Sequence, residues 1–62
     1  MANQQSDSEK ETKTREAVAF AMEGRWQNAA LVNKELADSH PDDTGVWNRL
    51  GKALLELGKY DE

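Results

Sequence analysis

A short triplet returns in this chain at a fixed distance. Gly24-Arg25-Trp26 and Gly58-Lys59-Tyr60 share one small–basic–aromatic order and lie 34 residues apart. The same offset pairs Ala17 with Gly51, Ala19 with Ala53 and Phe20 with Leu54. Self-similarity at a period of 20–50 residues marks a supersecondary unit used more than once, as in solenoids and arrays. With 62 residues, the chain holds about one and a half such units.

The punctuation between the triplets is helical. Ser8-Glu9-Lys10-Glu11 has the form of a capping box, in which Ser8 and Glu11 satisfy each other's free amides. It predicts a first helix over 9–23. Residues 1–8 carry too little apolar surface to offset their ordering entropy and are expected to form a disordered polar tail. The first half of this helix is charged, whereas Ala17, Val18, Phe20, Ala21 and Met22 in its second half can be buried. Gly24 then stands where a left-handed C-cap is expected.

Ala29, Val32 and Leu36 fall on one stripe at helical spacing, widened by Ala30, Leu31 and Ala37, and predict a second helix over 26–39. Pro41 pushes His40 away from helical geometry. Asp42 or Asp43 can cap the next helix through a carboxylate-to-amide bond, and negative charge also suits a helix N-terminus. Val46, Trp47, Leu50, Leu54 and Leu57 predict a third helix over 44–57. Gly58 is expected to cap it, and Tyr60-Asp61-Glu62 to open a truncated fourth helix. No run alternates in β-branched residues, so the fold class is all-α.

At this point the sequence resembles the tetratricopeptide-repeat (TPR) family, over about residues 10–62. Trp47, Leu50 and Gly51 stand at the first three places of that family's pattern, with Leu54 where Tyr is usual; Ala29 and Pro41 match later places of the preceding unit. The resemblance implies an antiparallel helical hairpin plus a third helix, a segment of a right-handed α-solenoid. It implies a core of Ala17, Phe20, Trp26, Ala29, Leu36, Trp47, Leu50, Gly51, Leu54 and Tyr60. Ala17 and Gly51 are small where paired helices approach, and Trp26 and Tyr60 wedge in after the turns. Trp47 and Leu50 supply large apolar area, so Trp47→Ala is expected to cost several kcal/mol. Lys13, Glu16 and Asn33 replace expected apolar residues in the first unit. Lys13 and Glu16, on the first helix, are what an N-terminal cap with a polar outer face looks like.

TPR proteins bind an extended peptide or a partner helix along the concave face made by the first helix of each pair. By resemblance, the partner-binding positions here are Thr14, Val18, Ala21, Asn48, Lys52 and Leu55. The family's carboxylate clamp is only half represented, since Thr14 and Val18 occupy the places of its Lys and Asn. The expected function is therefore a protein–protein interaction module that recruits or scaffolds a protein or peptide partner. Two alternatives stand beside it. One is self-association into a homo-oligomer through the uncovered face of the third helix; the other is service as an accessory arm of a protein continuing past residue 62.

Other chemistries find little support in the residues. His40 is the one histidine, set beside a proline in a turn, and capping accounts for Asp42 and Asp43, so no metal is expected. Ser6, Ser8 and Ser39 have no base partner, and the glycines form no phosphate loop. Glu9, Glu11 and Glu16 alternate with Lys10, Lys13 and Arg15 as on a solvated helix face. No enzyme activity, cofactor or small-molecule substrate is expected. A net charge of -4, from 8 basic and 12 acidic residues, opposes nucleic acid and anionic membranes. No segment has the apolar length of a membrane span or a secretory signal. With no cysteine in the chain, a cytoplasmic setting is the default.

Overall fold

Gly24 turns the chain at the first triplet, and it does so with a positive φ of 74°. The Arg25 amide donates to the Phe20 carbonyl at 2.8 Å and the Gly24 amide to the Ala21 carbonyl at 3.0 Å. These two bonds are the crossed pair of a Schellman motif, which needs a residue free to enter the left-handed region. In this computed structural model the backbone of residues 2–61 and the side chains of residues 9–59 are described. Three helices are present among the described residues, α1 (Ala2–Met22), α2 (Trp26–Ser39) and α3 (Thr44–Asp61). No strand occurs among those residues, and the fold is all-α.

The second turn is closed by Asp43. The His40 amide donates to the Leu36 carbonyl at 2.7 Å and ends α2, and the Asp43 amide donates to the His40 carbonyl at 3.0 Å. The Val46 amide donates to Asp43 Oδ1 at 3.3 Å, which satisfies one of the free amides opening α3. Trp47 Nε1 donates to the Pro41 carbonyl at 2.8 Å and ties the turn to the first turn of α3.

Both connections are short, so neighbouring helices run antiparallel. α1 packs on α2 and α2 packs on α3, while α1 and α3 scarcely meet. The core lies in two clusters along α2. Ala29 and Ala30 pack against Ala53, flanked by half-buried Phe20, Trp26, Leu50 and Leu57. Leu36 and Ala37 pack against Val46, flanked by Val32. Ala17 is buried on α1. The N-terminal half of α1 is held by charge instead: Lys10 Nζ lies 2.7 Å from Asp43 Oδ2, and Lys13 Nζ 3.4 Å from Glu35 Oε1.

Several expectations are corrected. α1 begins at Ala2, well ahead of Glu9. Ser8 therefore lies inside the helix rather than at its cap, and the stretch read as a disordered tail is helical from residue 2. The sequence offers no Gly or Pro before Gly24, so nothing halts propagation toward the N-terminus. Met1 lies outside the described residues. α3 runs through Gly58 to Asp61, so Gly58 is not a cap and Tyr60 and Asp61 belong to α3 instead of opening a fourth helix. Continuing through Gly58 keeps the backbone hydrogen bonds of the last turn, and Lys59 pairs with Glu56 across it at 3.1 Å. Glu62 and the Tyr60 side chain lie outside the described residues.

The core also rotates relative to expectation. Ala17, Ala29 and Leu36 are buried, and Phe20, Trp26 and Leu50 are partly buried. Trp47 and Leu54 are exposed. Gly51 is exposed as well, and a Cβ there would meet nothing within 4 Å, so no helix approaches it. The reason is the facing of α3. Val46, Leu50, Ala53 and Leu57 point toward α2, whereas Trp47 and Leu54 sit one residue on and are turned about 100° away. Asn33 is buried at 2% exposure, although it is polar.

Candidate binding groove

α1 and α3 flank α2 without closing on each other, and a groove with a volume of about 380 Å³ runs between them. The last turns of α1 supply Ala17, Val18, Ala21 and Met22, from the half of that helix that carries its apolar residues. α2 supplies the floor with Trp26, Ala29 and Asn33, and α3 supplies the opposite wall with Asn48, Arg49 and Lys52. One wall is thus apolar and the other is amide and cation.

Specific bonds set the polar wall. Arg49 Nε donates to Asn33 Oδ1 at 3.3 Å. This bond satisfies the buried carbonyl of Asn33 and leaves the two terminal nitrogens of the guanidinium for other acceptors. Arg49 has no ion-pair partner among the described residues. Lys52 Nζ donates to Glu56 Oε2 at 2.8 Å and lies 6.0 Å from the Trp26 ring centroid. The Lys52 and Lys59 ammonium groups, in that order, hold the Glu56 carboxyl below its ordinary range. Glu56 therefore stays ionised and fixes Lys52 beside the groove.

Four of the six residues named for a partner, Val18, Ala21, Asn48 and Lys52, line this one groove. Thr14 does not. It lies one turn back on α1, in a shallow polar depression with Lys10, Glu11 and Arg15. Leu55 is 60% exposed and lies outside the groove. Arg49 and Asn33 also line the groove, and neither was expected to meet a partner. Arg49 precedes Lys52 by three residues, a spacing that sets both on one helix face, and that was the available signal. Asn33 stands at an expected apolar position of the repeat, which signals burial, but its bond to Arg49 depends on what packs beside it.

The groove has the makings of a recognition surface. Its apolar wall can remove side chains of a ligand from water, and the Asn48 amide and the Arg49 and Lys52 cations can orient that ligand through carbonyl or carboxylate oxygens. Among the described residues, no helix is long and apolar enough to cross a membrane. No family model matches this chain, and neither a curated protein nor a solved structure matches it.

Proposed function

We propose that this chain is a TPR-like protein-binding module that works by recognition and not by catalysis. Its occupant is a segment of another protein, laid along the groove between α1 and α3. That segment sets apolar side chains against Val18, Ala21 and Met22 and presents oxygen acceptors to Asn48, Arg49 and Lys52. One observation carries the reading. Val18 and Ala21 of α1 and Asn48 and Lys52 of α3, far apart in sequence, converge on one groove with an apolar wall and a cationic wall. Among the described residues no carboxylate, imidazole or hydroxyl lines that groove, and its one amine, Lys52, is held by Glu56, which supports binding over acid–base or nucleophilic chemistry. A right-handed solenoid arrangement and a cytoplasmic setting belong to the same proposal.

The test is loss of binding at constant fold. The chain used as bait in an extract of its source cells recovers a specific protein. Lys52→Glu and Asn48→Ala each reduce recovery about tenfold or more, while far-UV circular dichroism stays unchanged. Recovery that survives both substitutions places the partner elsewhere.

A further inference from the structure

The other side of the molecule carries a second apolar surface, in the groove between α2 and α3. Leu31, Trp47 and Leu54 border it at 63%, 47% and 55% exposure. Together they leave on the order of 300 Å² of apolar side chain in water, the lower end of the range for the largest patch on a monomer, which is often a contact surface. Its rim on α2 is formed by Lys34 and Asp38, one turn apart. Neither has an ion-pair partner among the described residues, a condition that Arg49 shares among the cations and Glu9, Glu16 and Asp42 among the acids.

That rim is complementary to itself. A two-fold axis passing between Lys34 and Asp38, with the two copies of α2 antiparallel, sets each Lys34 against Asp38 of the second copy. The same operation carries Leu31 toward the second copy's corner at Pro41, where Trp47 is held by its indole bond to the Pro41 carbonyl at 2.8 Å. An isologous interface needs this property, a patch whose parts satisfy each other when the patch meets its own image. The rim adds no net charge to the contact, so the acidic balance of the whole chain is not concentrated there. We infer that the α2–α3 groove is the interface of a weak homodimer, closed by reciprocal Lys34–Asp38 pairs over Leu31 and Trp47. This surface faces away from the α1–α3 groove and does not depend on the function proposed for it.

The test exploits the symmetry. Lys34→Glu and Asp38→Lys are made separately in the full chain, both at exposed positions where folding is not at stake. Sedimentation equilibrium runs from about 10 to about 500 µM, bracketing the micromolar affinity of a small interface. The unsubstituted chain dimerises. Each variant alone faces like charges at both contacts and dimerises about tenfold more weakly. An equimolar mixture recovers the original affinity, because the Lys34→Glu chain meets the Asp38→Lys chain with opposite charges at both contacts. A monomer throughout the range overturns the proposal and leaves the patch to a different protein. Variants that dimerise like the unsubstituted chain, or a mixture that stays monomeric, overturn the interface.

Discussion

Three glycines of this chain have open space where a Cβ would go, yet alanine should act on them with opposite signs. Gly24, Gly51 and Gly58 each present no atom within 4 Å of an added Cβ, so crowding decides nothing and backbone geometry decides everything. Gly51 and Gly58 lie inside α3. Alanine is more favourable than glycine in a helix interior by roughly 0.8–1.0 kcal/mol, chiefly because the unfolded chain has less freedom to lose. Both substitutions should therefore stabilise by about that amount. Gly24 has a φ of 74°, where an L side chain costs roughly 1–2 kcal/mol. The smaller freedom of the unfolded chain returns about 0.4–1 kcal/mol of this. Gly24→Ala should then destabilise by about 1 kcal/mol. For a domain of this size a kcal/mol moves the midpoint by about 4–8 °C, so thermal melts followed at 222 nm separate the signs. A destabilising Gly58→Ala would mean that α3 ends at Gly58 in a left-handed cap. A destabilising Gly51→Ala would mean that a helix closes on Gly51, as the repeat resemblance implies. Either result refutes the reasoning.

Two further outcomes follow from the packing and the charges. Leu36→Ala empties a site that is 1% exposed between Ala37, Val46 and Val32; its cost of about 3–5 kcal/mol matches the whole stability of so small a core, and urea titration should show little cooperative transition. The Asp43 carboxyl is held below its ordinary range first by the Lys10 ammonium and then by the Val46 amide. A depressed carboxyl stabilises fully above its unfolded value of about 3.9 and loses that contribution as pH falls through the lower folded value. Asp43→Asn should therefore lower the melting point at pH 7, and the gap to the unsubstituted chain should narrow on acidification below pH 4; a gap constant with pH would contradict the assigned partners.

Much of the fold was legible because local chemistry dictates it. The left-handed turn at Gly24, the carboxylate cap at Asp43 and the break before Pro41 each depend on one or two residues, and α2 and the start of α3 fall where these place them. The end of α3 was not legible, since a glycine after an apolar stripe reads the same whether it caps a helix or lies within one. Only the turn that follows decides. At Gly24 the Arg25 amide bonds back to Phe20 and α2 packs home; at Gly58 the helical bonds simply continue.

The misread core residues share a physical cause. Reading burial from a sequence favours large side chains, because each removes more apolar area from water. Packing here selected mostly small ones: beside Leu36 and Val46, Ala17, Ala29, Ala30, Ala37 and Ala53 occupy the contacts, where helices close together leave little room. Most of the other large residues are displaced to the flanks of those contacts. Trp26 borders one groove, and Leu31, Trp47 and Leu54 border the other. A helix packed through alanines keeps its backbone near its neighbour and its bulky side chains at the edge, half in water. The errors in the expected core therefore carry information about surfaces: Trp47 and Leu54, counted as interior, are where the second groove exposes its apolar side chains, on the face proposed to meet a second copy of the chain.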